Sequence, residues 1–431
     1  MKNICFAVIF ILVLFLLASC PSSSVDPIPN PNSLVNEPDY YIPIVWESNM
    51  QRPFCNLVAA DETGIYVYSY KQNEFTTVRL NKINHETGAT LWTTDYFGDV
   101  NLDPPIIADG YIYVLLYDDA ILCFDKGNGN LLARIKINFS NQNTWVKSGY
   151  WYHDNCFYFG YGDSVAGDQY LGRINISSVS KDGSNLTEQL LIPDALWQSR
   201  NKSRILARPF VHNNIVYCNT ITLDINLPVE MAGIDINTKA EVFYESFGGD
   251  GKNNFDHGGV RYPFYEKDSI LYYFGESIAA YDTTDNSKKY HVIFGLDTPE
   301  KSNYGAGGSL GAIFYKNNIY YTTNGGNAAG GTDIRNIFCV NRENGALVWS
   351  AIARKSESLG TKPIIYDNKV FIPHMGGMRV YDADSGKLIG VDKRYEFGSL
   401  CINQLYGSIM ITAKYSVAHG GLHIAAFDLK K

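Results

Sequence analysis

The stretch that decides the fold is Asn341-Arg342-Glu343-Asn344-Gly345-Ala346-Leu347-Val348-Trp349, in which Asn is followed by a Gly and then by a Trp. The same order recurs in Asn84–Trp92, and the first part of it recurs in Asp125–Ala133 and Asp382–Leu388. Asn or Asp closes a turn with its side chain, while Gly adopts the left-handed backbone conformation. Each copy therefore predicts a tight turn between two strands.

A short aromatic and β-branched run recurs along the chain, about 49 residues apart, a period typical of propellers and solenoids. Polar pairs such as Asp109-Gly110 and Asn213-Asn214 precede most of these runs and indicate hairpins. The runs are Ile65–Tyr68, Tyr111–Val114, Cys156–Phe159, Ile215–Cys218, Ile270–Tyr273, Ile319–Tyr321, Val370–Ile372 and Ile409–Ile411.

Together these motifs resemble the repeat of the pyrroloquinoline-quinone (PQQ)-type β-propellers. The resemblance implies an all-β chain that forms a single β-propeller of four-stranded antiparallel blades. It also implies that Trp92 and Trp349 pack between neighbouring blades. Eight runs predict eight blades, or seven if one of the degenerate units is an insertion; these units lie near 150–191, 208–247 and 262–294.

Residues before the first repeat have two predicted roles. Tyr41–Trp46 reads as a single strand that joins the last blade and closes the ring, which removes exposed sheet edges. Residues 1–19 read as a signal peptide, and Leu17-Ala18-Ser19-Cys20 resembles the lipobox of bacterial lipoproteins. That resemblance implies lipidation of Cys20, with plain secretion after cleavage near Ser19 as the alternative.

The predicted organisation is a lipidated Cys and Ser/Pro/Asn-rich tether over 20–40, followed by a propeller over 41–431. The chain is then exported and anchored to the cell envelope by its lipid. Residue 21 is Pro rather than the Asp that retains lipoproteins in the inner membrane, which favours the outer membrane of a two-membrane bacterium.

Composition narrows the classes of function. The 431 residues carry a formal net charge of −8, which argues against nucleic-acid binding because phosphate contacts need clustered Lys and Arg. No close Cys pair is present, so neither a zinc site nor a redox motif is expected. Buried free thiols are the preferred interpretation, with disulfide pairing left open, for Cys55, Cys123, Cys156, Cys218, Cys339 and Cys401.

Glycine-rich loops are the main candidates for a binding site, because long loops on a rigid scaffold often carry function. They span 248–259, 305–311 and 324–333, and plain blade connections are the alternative. Their candidate contact residues are Asp250, Asn254, Asp256, His257, Asn324, Asn327 and Asp333. The acidic residues lack EF-hand spacing, so no metal site is predicted.

Trp197 is a further candidate, as an exposed partner anchor on a short helix over Pro193–Arg200, or tucked against the propeller.

Three functions are consistent with this sequence. The first is a non-catalytic binding or scaffold propeller, similar in design to the BamB lipoproteins of outer-membrane protein assembly; its partners would be the membrane, through the lipid, and other envelope proteins or an exported ligand. The second is a carbohydrate- or peptide-binding receptor. The third is a PQQ-dependent dehydrogenase, which lacks support because no adjacent Cys pair or calcium set is present. We therefore expect a monomeric propeller with no catalytic residue and no cofactor.

Overall fold

A computed structural model defines the architecture. It describes residues 37–48, 59–70, 77–100, 104–117, 119–184, 186–202, 204–205, 207–220, 228–247, 264–274, 277–293, 309–323, 334–353, 362–374, 377–397, 403–416 and 421–430. Cys20, the signal peptide and most of the tether lie outside these residues. By internal contacts the chain divides into two units, Met1–Pro38 and Asp39–Lys431. Among the described residues, no helix is long and apolar enough to cross a membrane.

The second unit is a propeller of eight sheets, in which successive strands of a blade pair antiparallel. A first strand, β1 (Ile44–Glu47), precedes the blades. Blade 1 contains β2 (Ala59–Asp61), β3 (Gly64–Tyr70), β4 (Val78–Ile83) and β5 (Thr90–Thr93). Blade 2 contains β6 (Ile106–Ala108), β7 (Tyr111–Leu115), β8 (Ala120–Asp125) and β9 (Leu131–Ile137).

Blades 3 to 5 follow the same plan. Blade 3 contains β10 (Thr144–His153), β11 (Cys156–Asp163), β12 (Gln169–Asn175) and, after an intervening β13 (Glu188–Leu191), β14 (Asp194–Gln198). Blade 4 contains β15 (Phe210–His212), β16 (Ile215–Asn219), β17 (Val229–Asp235) and β18 (Glu241–Phe247). Blade 5 contains β19 (Phe264–Lys267), β20 (Ile270–Phe274), β21 (Ser277–Asp282) and β22 (Lys288–Ile293).

Blades 6 to 8 complete the ring. Blade 6 contains β23 (Ser309–Tyr315), β24 (Asn318–Thr323), β25 (Ile334–Asn341) and β26 (Leu347–Ala353). Blade 7 contains β27 (Ile364–Tyr366), β28 (Lys369–His374), β29 (Gly377–Asp382) and β30 (Leu388–Asp392). Blade 8 contains two short strands, β31 (Glu396–Phe397) and β32 (Gln404–Tyr406), both paired with β33 (Ile409–Ser416), and then β34 (Gly421–Asp428) and β1.

These sheets confirm the all-β propeller and its eight blades, and the seven-blade alternative is wrong. The predicted hairpins are also present, since Asp109, Asn213, Asn214, Asp367 and Asn368 all have positive φ angles. Side chains on facing blades interlock as hydrophobic layers, and a Tyr on the second strand recurs in them. Such fully buried residues include Tyr66, Tyr113, Tyr158, Tyr217 and Tyr320.

The predicted closure by the N-terminal strand is confirmed. β1 pairs antiparallel with β34, and Trp46 stands opposite Ala426. Buried Asp392 accepts hydrogen bonds from the Ile42 amide at 2.9 Å and from Arg394 Nε at 2.8 Å. Arg394 Nη2 in turn donates to the Ile42 carbonyl at 2.9 Å, so a polar clasp holds the N-terminal segment to blade 7.

The helix predicted over Pro193–Arg200 is wrong. Residues Asp194–Gln198 form strand β14, in which Trp197 stands opposite Leu171 of β12. An ion pair of 3.2 Å between Arg173 and Asp194 joins the same two strands. The open edge of β12 provides backbone partners for this segment, and such tertiary pairing overrides local helix propensity.

Candidate functional site

The turns between third and fourth strands join neighbouring blades. Trp92 Nε1 donates to the Lys126 carbonyl of blade 2 at 3.3 Å, and Trp349 Nε1 donates to the Ala383 carbonyl of blade 7 at 2.8 Å. Each indole also covers the turn Gly of that next blade. A Cβ added at Gly386, whose φ is +67°, would lie 2.5 Å from the Trp349 ring. The two Trp residues thus lie between blades.

Three other side chains donate to the equivalent turn carbonyl of the next blade, a role that sequence reasoning missed. Trp46 Nε1 donates to the His85 carbonyl at 3.0 Å, Tyr290 Oη donates to the Arg342 carbonyl at 3.1 Å, and Arg173 Nη1 donates to the Ile236 carbonyl at 2.6 Å. A signal existed for Tyr290, which follows Asp282 at the spacing that separates Trp92 from Asn84.

Blade 2 carries an additional strand at its outer rim, and there the surface departs from the repeat. β13 pairs parallel with β9 at the rim of blade 2, with Glu188 opposite Arg134 and Leu191 opposite Ile137. The chain therefore leaves blade 3 after β12, returns to the rim of blade 2, and only then completes blade 3 with β14. The degenerate unit near 150–191 contains this excursion.

The inner side of β13 is fixed to the propeller. Leu191 packs against the hydrophobic layer between blades 2 and 3, and its carbonyl accepts from the Asn138 amide at 2.8 Å. The Gln189 amide group, on the same side as Leu191, forms two hydrogen bonds with the backbone of Ser180. On the opposite side, Glu188 pairs with Arg134 at 2.8 Å. These contacts hold the strand in a defined register.

The outer side of β13 carries exposed apolar side chains next to the Glu188–Arg134 ion pair. Leu190 is 61% exposed, Ile192 is 76% exposed, and Leu186 is 49% exposed. No described strand pairs with the edge of β13 that faces away from β9. We call β13 with Leu186 and Ile192 the rim edge. A strand edge with free backbone groups and apolar side chains is a template for pairing with another chain.

Trp197 is half-buried and packs against the hydrophobic layer between blades 3 and 4. Its Nε1 donates to Glu241 Oε2 at 2.8 Å, and Arg200 pairs with the same carboxylate. The indole is therefore engaged within the propeller. The other candidate contact residues, Asp250, Asn254, Asp256, His257, Asn324, Asn327 and Asp333, lie outside the described residues.

Among the described residues, no group of three or more His, Cys, Asp or Glu side chains could hold a metal ion. Four thiols are free and buried, those of Cys123, Cys156, Cys218 and Cys339. Burial raises the pKa of both Cys123 and Cys339 to about 12.

We expect these four thiols to be inert in the folded protein, because the thiolate is the reactive form and burial disfavours it. Iodoacetamide at pH 8, followed by peptide mass spectrometry, should label none of the four natively and all of them in guanidinium chloride. Native labelling of Cys123 or Cys339 at the denatured rate would contradict the buried placement.

A partly buried carboxyl, that of Asp99, predicts a pH effect on stability. Burial raises the pKa of Asp99 to about 6, although the hydrogen bond with the Val100 amide acts to lower that pKa. The native state therefore holds this proton more tightly than the unfolded state, so the group costs stability as pH rises from about 4 to 6. Solvent screening of a half-buried group leaves a cost of about 1 kcal/mol above that range.

Asp99→Asn should therefore raise the free energy of unfolding by about 1 kcal/mol at pH 8 and change it little at pH 4. Urea titrations of both proteins at the two pH values measure the difference. An equal change at both pH values would contradict the role of the Asp99 charge.

Comparisons of the sequence and of the structure with known proteins agree with the propeller fold. Residues 43–148 match a family model described as outer membrane protein assembly factor BamB. No curated protein sequence matches the chain. The structure is similar to a europium-containing methanol dehydrogenase, with a TM-score of 0.60 and 11% identity over 90% of this chain and 92% of that one.

Two further solved structures have similar folds. The computationally designed Ika8 protein has a TM-score of 0.56 and 12% identity, over 88% of this chain and 98% of its own. Quinohemoprotein alcohol dehydrogenase ADHIIG from Pseudomonas putida HK5 has a TM-score of 0.57 and 9% identity, over 90% of this chain and 76% of its own. At these identities the similarity shows the fold, and it confirms the predicted β-propeller.

Proposed function

We propose that this chain is a lipid-anchored, non-catalytic propeller of the cell envelope that binds other envelope proteins. The observation that carries the proposal is the rim edge, an added strand that exposes Leu186, Leu190 and Ile192 at the rim of blade 2. Every blade of a propeller ends in an outer strand, and such edges are normally short and protected. At the rim edge an open strand edge coincides with a cluster of exposed apolar side chains, a combination that a partner would cover.

The partner that fits the rim edge is an extended protein segment. Backbone hydrogen bonds to β13 would supply affinity, and contacts with Leu190 and Ile192 would supply specificity. The family match over 43–148 supports an envelope role, and we propose that this role lies in outer-membrane protein assembly. The dehydrogenase neighbours share the fold, but function lies in a site rather than in a fold.

Site-specific photo-crosslinking tests this proposal. A photoreactive amino acid is placed at position 190 in the full-length protein, and a matched control is placed at Val165, which is 77% exposed in another blade. Crosslinking in native membranes should give the same outer-membrane assembly proteins repeatedly from position 190 and not from position 165. Identical adducts from both positions, or none from position 190, would overturn the role of the rim edge.

A double variant tests the chemistry of the rim edge. Leu190→Ser with Ile192→Ser removes both exposed apolar side chains from the outer side without adding a charge opposite Lys136, the residue that Leu190 faces in β9. The thermal midpoint should stay unchanged because both side chains are exposed, while recovery of the crosslinked partner by affinity purification falls about tenfold or more. Undiminished recovery would contradict the proposal.

Lipid anchoring is tested separately. Cys20→Ala should move the protein from the membrane fraction to the soluble exported fraction, because one lipidated residue supplies the anchor. Retention of the variant in washed membranes would overturn the lipoprotein assignment while leaving the rim edge untouched.

The non-catalytic assignment has its own test. Purified protein is incubated with PQQ and Ca²⁺ and assayed for dye reduction with alcohols and aldose sugars. We expect the rate to equal that of the cofactor without protein. A protein-dependent rate would replace the proposed function with that of a quinoprotein dehydrogenase.

Exposed aromatic residues favour a second candidate function, carbohydrate binding. Tyr117 is 52% exposed and Trp145 is 39% exposed, and the bond from the Val146 amide to Asp119 at 3.0 Å brings their segments together. Such rings stack on sugars, and a cation above one ring, Lys147 Nζ at 3.0 Å from the Trp145 centroid, adds a polar contact. Glycan-array binding that Trp145→Ala abolishes would favour this function.

A further inference from the structure

The first strands of the blades form the inner wall of the ring, because first strands of neighbouring blades contact one another, as β23 and β27 do. One position just before these strands recurs from blade to blade. It is Pro104 in blade 2, Arg208 in blade 4 and Lys362 in blade 7, each followed by a Pro that leads into the first strand. Structural repetition places these residues at one level of the wall.

Contacts continue along this level from blade 4 to blade 7. The charge of Arg208 acts on the phenol of Tyr265 in blade 5, and the Ala312 amide of blade 6 donates to that hydroxyl. At Gly311, whose φ is +150°, an added Cβ would lie 3.1 Å from both Tyr265 Oη and Lys362 Cβ. Glycine thus allows the Tyr265 hydroxyl and the Lys362 stem to approach one another.

Blade 8 extends the same arc. Asn403 Nδ2 donates to the Lys362 carbonyl at 2.6 Å. Asn403 is 3% exposed, and its Oδ1 is buried with no hydrogen-bond partner. A buried amide oxygen without a partner costs stability unless a ligand or water supplies a donor. We call Arg208, Tyr265, Lys362 and Asn403 the inner-wall arc.

Lys362 carries the unbalanced charge of this arc. Its side chain is partly buried, and among the described residues no carboxylate or hydrogen-bond acceptor pairs with its Nζ. Burial lowers the pKa of Lys362, and no acid in the described part of the chain offsets that effect. A desolvated ammonium without a counter-charge favours an anion from solution.

We propose that the inner-wall arc binds a small ligand that carries an oxyanion, a carboxylate or phosphate, together with a hydroxyl group. The Lys362 ammonium pairs with the oxyanion, and the Tyr265 hydroxyl, which accepts from Ala312, donates its own proton to it. Asn403 Oδ1 accepts from the ligand hydroxyl. This site is separate from the rim edge, so the proposal stands independently of the proposed function.

Isothermal titration with citrate and with inorganic phosphate tests the site in the full chain. Citrate combines carboxylates with a hydroxyl, so its binding alone indicates a carboxylate ligand, and binding of phosphate alone indicates a phosphate ligand. Lys362→Met should weaken binding about tenfold or more, whereas the control Lys316→Met should not, because the Lys316 ammonium lies in an exposed turn and pairs with Asp384.

A second variant keeps the Lys362 charge and changes the shape of the inner-wall arc. Gly311→Ala places a methyl group against Tyr265 Oη and the Lys362 stem and strains the backbone at a φ of +150°, so it should also weaken binding. Circular dichroism checks that the variant keeps the fold. Wild-type binding should decline with rising pH before the ordinary lysine pKa of 10.5, since Lys362 loses its proton earlier. Equal affinity of wild type and Lys362→Met, or no binding of either anion, would overturn the proposal.

Discussion

Asp392→Ala is expected to lower the free energy of unfolding by about 3 kcal/mol or more, because it leaves part of a buried polar clasp without its partner. Asp392 is 1% exposed, and its carboxylate accepts hydrogen bonds from the Ile42 amide and from the Arg394 guanidinium. Removing the carboxylate leaves the buried Ile42 amide, in the segment that closes the ring, without its hydrogen-bond acceptor. Guanidinium chloride titration followed by tryptophan fluorescence measures the loss.

The location of the loss distinguishes this effect from general destabilisation. Hydrogen exchange should accelerate first in β1 and β34, because the clasp holds the segment that leads into β1. The control is Asp384→Ala, which removes an exposed carboxylate of the same blade that pairs with Lys316 at 2.8 Å. It should leave the unfolding midpoint unchanged. Uniform acceleration of exchange over all blades would contradict a local clasp.

Trp349→Ala is expected to lower the free energy of unfolding by about 3 to 5 kcal/mol, the usual cost of removing a buried indole. Trp349 is 8% exposed, covers the turn glycine of blade 7, and lies between the rings of Tyr320 and Tyr381. Its removal opens a cavity between blades 6 and 7. Thermal and denaturant unfolding of the purified propeller measure the effect.

Two further variants separate the parts of this contact. Trp349→Phe keeps most of the apolar area and loses the hydrogen bond to Ala383, so it should cost about 1 kcal/mol for that bond in addition to the smaller ring. Val348→Ala changes a neighbouring side chain that is 45% exposed, and it should stay within about 0.5 kcal/mol of wild type. If Val348→Ala cost as much as Trp349→Ala, the inter-blade contact would not be the cause.

The candidate sites were less predictable than the blades. The sequence predicts a short helix with Trp197 either as an exposed anchor or tucked against the propeller, whereas the residue lies in strand β14, packs within the propeller and donates to Glu241. The rim edge left only a weak trace, a degenerate unit near 150–191, because Leu186, Leu190 and Ile192 look like any apolar strand until their exposure is known. The inner-wall arc combines single residues from four blades, and no local motif joins them.

The sequence by itself determined the repeating unit, the number of blades and the closing strand. Turn residues such as Asn341 and Gly345 act within a few positions, and strand runs repeat at a readable period, so local chemistry specifies each blade. Tertiary structure alone decided that β13 leaves its own blade for β9, and that Lys362 meets Gly311 and Asn403. Those choices depend on which edges and charges remain unpaired after the ring has closed, which no local stretch encodes.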